Sequence, residues 1–222
     1  MSVLPLDPDT LLTTTRAVRR RLDFERPLDL GLVRECLEIA LQAPSGSNSQ
    51  GWHFVLVTEP AKRRRIGEIY RECFAIYREQ SHSAHALAAR AEGAERVVME
   101  EVVRSAEHLA EHMGRAPALL IPCIRGRLEG VPPENVSRAA AGLMGSILPA
   151  VWSFMLAARA RGLGTAWTSL HLMREKEVGA LLGIPVDEIM QVMLTPIAYT
   201  LGTEFKPARR RPLDTVLHVN AW

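Results

Sequence analysis

Cysteine is scarce in this chain. Its 222 residues hold three, Cys36, Cys73 and Cys123, odd in number, widely spaced and set in apolar surroundings. That pattern excludes a disulfide framework and reads as three buried, reduced thiols in a reducing, cytosolic compartment. An excess of one charge is missing too, since 27 Lys and Arg face 25 Asp and Glu for a net charge of +2. A dedicated nucleic-acid binder is therefore not expected. There is no glycine-rich phosphate loop of dinucleotide or P-loop spacing, no internal repeat and no low-complexity tract. Residues 1–9 carry two aspartates, two prolines and no basic residue, so they lack a signal peptide's charged start and apolar core. His108 and His112 stand four apart, as on one helix face, but no third ligand completes a set, and no metal is expected.

Long hydrophobic runs are limited to one. Residues 139–158 are uncharged and long enough to span a membrane. The run is diluted by Gly142, Gly145, Ser146, Pro149 and Ser153, and no second span accompanies it. It reads instead as the central helix of a soluble core or of a subunit interface, with no membrane expected. With 47% hydrophobic and 23% charged residues, the composition is that of a globular protein, and one domain covering 1–222 fits the length.

Turn and capping signals divide the chain. Asp7-Pro8-Asp9 opens a short helix that runs into the arginine cluster Arg16, Arg19, Arg20 and Arg21. Pro27 and Asp29 open a second helix, ending at Pro44, and residues 53–58 form an apolar strand. A helix follows from Pro60 to about residue 79. Residues 81–94 lack an apolar stripe and suit a mobile helix or a lid, and helical spacing returns over 95–113. A strand is predicted at 118–124, with Pro122 suggesting an edge or bulge. Ser137 is read as the cap of the long apolar helix and Pro149 as its kink. Strands at 165–170 and 191–198 flank a helix over 175–182 stopped by Gly183.

The stretch 43–52 is the least charged and most polar of the loops. Pro44 and Gly46 punctuate it, while Ser45, Ser47, Asn48, Ser49 and Gln50 supply compact donors and acceptors. Two readings are open: a turn bonding its own backbone, or a cradle for a polar ligand. With the N-terminal arginines and a second cluster, Arg209, Arg210 and Arg211, the cradle would suit a planar amide-like head on a phosphate tail.

Four of these stretches, taken in order, resemble the nitroreductase family of FMN-dependent oxidoreductases. They are residues 15–19, the Ala-Pro-Ser loop and strand start at 43–54, the Pro-led helix to Gly-Leu-Gly at 149–164, and the basic segment before Pro-Leu at 206–213. The resemblance implies an α+β fold, a three-layer sandwich of a mostly antiparallel sheet covered by helices. It further implies an intertwined homodimer with FMN at the interface and a C-terminal arm, about 203–222, reaching the partner subunit.

Carried over, Arg16, Ala17 and Arg19 occupy the N-terminal cofactor motif, with Thr15 and Ala17 where the family usually has arginine and serine. Arg210, or Arg209 if the register slips by one, takes the C-terminal phosphate contact. Pro44, Ser45, Gly46, Asn48 and Gln50 form the loop contributed from the other subunit, and Thr168 and Ser169 fall beside the flavin ring as donors toward N5. Arg20 or Arg21 are candidates to replace the missing phosphate donors, and Arg71 and Arg78 to stabilise charge at flavin N1. The implied activity passes hydride from NADH or NADPH through FMN to a small electron-poor acceptor, with no catalytic protein residue. Rival readings are a flavin-storage protein with little turnover, a regulatory protein with a degenerate site, or a specialised variant such as a dehalogenase, enone reductase or flavin-destroying enzyme.

Overall fold

The computed structural model describes residues 3–222. Asp7 accepts from the Thr10 N–H to start α1 (Pro8–Thr14), β1 (Leu22–Asp23) is a short pairing segment, and Asp29 accepts from Gly31 to start α2 (Leu30–Ala40). β2 (Trp52–Val57) leads into α3 (Pro60–Arg78), which opens on proline, and Ser83 caps α4 (Ala84–Arg90). α5 (Gly93–His112), β3 (Ala118–Arg125) and α6 (Pro133–Ala160) form the middle of the chain. β4 (Leu163–Thr165), α7 (Glu175–Leu182), β5 (Ile189–Gln191) and β6 (Thr195–Thr200) complete it. α7 ends as predicted at Gly183, whose φ of 70° lies in the left-handed region.

All strand ladders are antiparallel. β3 pairs with β2 on one side and with β5 and β6 on the other, and β6 also carries β1 and β4. Side chains alternate along β3. Leu119, Ile121 and Cys123 join a core with Ile66, Ile69 and Phe74 of α3 and Leu109 of α5. Leu120 and Ile124 join another with Val33 and Cys36 of α2 and Ile147 and Phe154 of α6. The result is three layers, α3 and α5 over the sheet over α2 and α6, which is the predicted α+β sandwich. Coverage of both faces explains why β3 reads as an unbroken apolar run.

Local expectations are corrected or narrowed at four places. Of the two readings of Pro122, the edge fails because β3 is a central strand, while the bulge fits, since two residues of β3 face three between β5 and β6. Its carbonyl accepts from Val192 at 3.0 Å, so the side lacking an N–H faces the break between β5 and β6, where no ladder bond is lost. The strand expected over 165–170 comes earlier as β4, and that over 191–198 is split into β5 and β6. Ser137 lies inside α6, which begins at Pro133 and stays one helix through Pro149. Of the two readings of residues 81–94, a helix is found, since they contain α4 and the start of α5.

α6 is long and apolar enough to cross a membrane, yet one face packs into the core through Ile147, Val151, Phe154 and Ala158. Its other face shows Ala141, Gly142, Gly145 and Trp152 to the outside. The chain after β6 is rooted by Arg21, which donates from Nε to the Leu201 carbonyl at 2.9 Å and from Nη1 to that of Glu204 at 2.7 Å. The Arg21 guanidinium also lies 4.1 Å over the Phe205 ring. Beyond that root, residues 206–222 form no strand with their own subunit, and Val216, Leu217, Val219 and Trp222 are exposed.

One contact fixes how closely α3 approaches the Met113–Arg115 turn that precedes β3. A Cβ on Gly67 would sit 2.6 Å from the Gly114 nitrogen, so this crossing admits only glycine at Gly67 without a shift of backbone. Gly67→Ala is expected to lower stability by about 1–3 kcal/mol, read as a fall in the urea midpoint.

Candidate functional site

The N-terminal arginines are positioned by a single extended segment. Thr15 leaves α1 with extended backbone, Ala17 bridges to Thr165 of β4, and the Val18 N–H donates to the Thr165 carbonyl at 2.8 Å. Buried Val18 anchors the segment. Arg16 is thereby delivered to a cleft of about 290 Å3, lined also by Thr15, Trp152 of α6 and, from the C-terminal segment, Arg210. Arg19 lies behind it, next to Arg16 and Tyr70, with Nη1 3.4 Å from the Ser105 hydroxyl, and burial lowers its pKa. Among the described residues, none of Arg16, Arg19 and Arg210 has a carboxylate partner.

The neighbouring cations have other tasks. Arg20 pairs with Glu101 at 3.6 Å, and Arg21 holds the root of the C-terminal segment. Neither lines the cleft of Arg16 and Arg210. Arg209 gives its carbonyl to Arg210 at 3.1 Å and lines, with Arg210 and Arg211, a second hollow against Val98 of α5. Arg71 and Arg78 line a separate groove between α3 and α5 with Glu107 and Glu111, away from the cleft. His108 and His112 stack on each other at 4.3 Å and on Phe24, and no metal-ligand group occurs among the described residues.

Thr168 and Ser169 follow β4 and differ in what they can offer. Both donors of Thr168 are spent on one acceptor, the Leu194 carbonyl, at 3.1 Å from the N–H and 2.6 Å from the hydroxyl. The Thr168 hydroxyl also meets that of Tyr70, whose pKa burial pushes up to about 12. Ser169 is exposed and its donors are uncommitted among the described residues. Thr168 thus fixes the turn, and Ser169 is the residue left with donors.

The polar loop does bond itself. Gln50 N–H donates to the Ser45 hydroxyl at 3.1 Å, and the Gln50 amide donates to Asn48 Oδ1 at 3.0 Å. It is tied to α6 through Ser146, whose hydroxyl accepts from Gly46 at 3.0 Å and whose carbonyl accepts from the Trp52 indole at 2.6 Å. Ser47, Asn48 and Gln50 have φ of 51°, 52° and 47°, a left-handed run without glycine. Such strain, of order 1–3 kcal/mol per residue, gathers at functional sites. Pro44, Gly46, Asn48 and Gln50 are exposed, and no hydrogen bond joins the loop to the arginine cleft of its own chain.

Of the residues singled out in the sequence, Arg16 and Arg210 share the cleft, Ala17 braces it against β4, and Arg19 stands beside Arg16. Thr168 is linked to this group through Tyr70. The loop stands apart on α6. Tyr70, Ser105 and Ser146 were not foreseen as site residues, because Tyr70 falls on the apolar stripe of α3 and the serines carry no distinctive spacing.

The fold is thus a three-layer α+β sandwich with a cleft beside β4 whose arginines have no carboxylate partner among the described residues. The Nitroreductase family model matches residues 12–199, and the chain belongs to that family, a class of oxidoreductases. An NADH dehydrogenase of Thermus thermophilus is 28% identical, with 96% of this chain and 95% of that protein covered. A 5,6-dimethylbenzimidazole synthase of Rhodospirillum rubrum is 30% identical over 81% of this chain and 75% of that protein. The crystal structure of the FMN and NADPH-dependent nitroreductase NfnB from Sphigopyxis sp. strain HMH superimposes with a TM-score of 0.65 at 20% identity, covering 98% of this chain and 100% of that one.

Just past Ser169, His171 is fully buried with both ring nitrogens unpartnered, and burial drives its pKa down to about 4. The unfolded imidazole takes up a proton near its ordinary value of 6.5, whereas the folded one resists until about 4. The His171 contribution is therefore complete above pH 6.5 and is lost as pH falls through this window, by about 3 kcal/mol in all. Urea unfolding at pH 7 and pH 4.5 should show this loss, and His171→Leu should remove that share of the pH dependence.

Proposed function

We propose that this protein is an FMN-dependent oxidoreductase that takes hydride from NADH or NADPH and delivers it to an electron-poor acceptor such as a nitroaromatic or a quinone. The observation that carries this reading is the cleft between Arg16 and Arg210, with Arg19 beside Arg16 and no carboxylate for any of them. Partly buried charge without a counterion is costly, and a phosphate accepts the parallel hydrogen bonds that a guanidinium fork donates. Family membership and the FMN dependence named for the Sphigopyxis enzyme support the same cofactor.

FMN, when bound, supplies the centre that accepts and gives up hydride, so no protein acid or base is needed. Arg16 and Arg210 would hold the phosphate, with Arg19 and the Ala17 backbone alongside and Arg209 adding charge at the rim. Ser169 would donate at the flavin ring, held in place by Thr168. Pro44, Ser45, Gly46, Asn48 and Gln50 would serve the cleft of a second subunit in a homodimer. That assignment is supported by the loop's separation from its own cleft and by the apolar outer face of α6. The segment from about 203 to 222 would be the arm that crosses to the partner, since beyond Phe205 it pairs with nothing in its own sheet. Three free thiols, with Cys36 and Cys123 raised to about 11 and about 12 by burial, suit a reducing cytosolic setting.

The purified protein is expected to carry about one FMN per chain by its visible absorption. Arg16→Gln and Arg210→Gln should each weaken FMN binding about ten-fold or more, with circular dichroism unchanged. NADPH oxidation with menadione should give parallel double-reciprocal lines, because reductant and acceptor use one site in turn. A colourless protein that FMN does not reconstitute would refute the reading. Bound flavin without turnover would indicate storage, and oxygen-dependent loss of the flavin spectrum a flavin-destroying variant.

A further inference from the structure

A second basic pocket, of about 350 Å3, lies where the turn between β1 and α2 meets the end of β2 and the start of α3. It shares no lining residue with the cleft of Arg16 and Arg210. The turn is fixed by Asp23, whose carboxylate accepts from the N–H groups of Glu25 and Arg26 at 3.1 and 3.2 Å. Asp29, which caps α2, closes its other end.

Three guanidinium groups line this pocket against one carboxylate. Arg115 donates to Glu25 at 2.6 Å and so is neutralised. Arg63 donates from Nε to the Thr58 carbonyl at 3.1 Å and from Nη1 to the Ala116 carbonyl, neutral acceptors that pin the group without cancelling its charge. Arg26 lies 3.6 Å over the Tyr199 ring and has no carboxylate partner among the described residues. Two of the three guanidinium groups that line the pocket are therefore left without a carboxylate. Leu28, Leu30 and Pro117 supply an apolar wall, while Phe24 is occupied by His112 on stacking and by Arg115 at 5.4 Å.

We propose that this pocket binds a small organic phosphate monoester, its phosphate between Arg26 and Arg63 and its apolar body against Leu28, Leu30 and Pro117. Two uncompensated cations call for close to two negative charges on one compact head. A phosphate monoester provides about 1.5 to 2 at neutral pH, whereas a single carboxylate provides one. The guanidinium fork matches phosphate oxygens in geometry as well as charge. The volume falls within the range of about 300–1,000 Å3 usual for small-molecule sites. This site stands independently of the flavin reading.

The test is calorimetric titration of phenyl phosphate into the full chain saturated with FMN, with benzyl alcohol as the uncharged comparison. Saturable binding of phenyl phosphate is expected, at least about ten-fold tighter than benzyl alcohol. Arg26→Gln should weaken it about ten-fold by removing a charged donor at an exposed position, with circular dichroism checking that loss of its contact to the buried Tyr199 ring leaves the fold intact. Leu30→Glu, which places a carboxylate at the apolar wall in the first turn of α2, should weaken it by a similar factor. Arg210→Gln should leave it unchanged, which separates a failure of this site from a failure of the flavin reading. The proposal is overturned by absence of saturable binding at millimolar phenyl phosphate, by equal affinity for benzyl alcohol, or by wild-type affinity in Arg26→Gln. It is overturned equally if Arg210→Gln alone abolishes the binding.

Discussion

A strand buried on both faces needs two sets of helices, and β3 imposes that demand on the whole chain. Leu119, Ile121 and Cys123 commit one side of the sheet to α3 and α5, while Leu120 and Ile124 commit the other to α2 and α6. Each element then has one position it can occupy without exposing the core. The same requirement forces α3 down onto the Met113–Arg115 turn, where Gly67 and Gly114 meet backbone to backbone. It also turns α6 from a span-like sequence into a core helix with one face left over. The residues assigned to the proposed site lie at the margins of this arrangement, on an extended segment beside β4, on the turn after β4 and on a loop strapped to α6.

Arginine is the chain's main polar instrument, and the fold sorts its guanidinium groups by what neutralises them. Arg65, Arg127 and Arg174 sit among carboxylates. Arg21 binds backbone carbonyls and a ring, which makes it a structural clamp on the departing chain. Arg16, Arg19 and Arg210, and separately Arg26 and Arg63, keep their charge without a counterion. Because exposed ion pairs contribute little to stability, the informative arginines are those without an acid partner.

In the proposed homodimer the polar loop would be prepared in one chain for use by the other. Its internal hydrogen bonds and the Ser146 anchor hold Ser47, Asn48 and Gln50 in left-handed backbone, a cost of a few kcal/mol carried without a hydrogen bond to the arginine cleft among the described residues. Strain maintained on an outward-facing loop, beside an exposed apolar helix face, fits a half-site that another subunit completes.

Much of the fold was legible in the sequence, because apolar periodicity and capping depend on local geometry. Asp7, Asp29 and Gly183 marked helix ends correctly, and α3, β3 and α7 fell where spacing put them. Signals failed where a residue's partner is distant. Pro122 left an edge and a bulge open because whether its missing donor matters depends on the break in the neighbouring ladder. Ser137 misled because the helix had already begun at Pro133. The residue types of the cleft, arginines at both ends of the chain and a polar loop between, were legible as chemistry. Which arginines remain unpaired was not, since Glu101 claims Arg20 and the Leu201 and Glu204 carbonyls claim Arg21 only once the chain has folded. The sequence by itself determined the layers and the kinds of group available. Tertiary structure alone decided which charges are neutralised and which donors are already spent, because both depend on neighbours as many as 183 residues away along the chain.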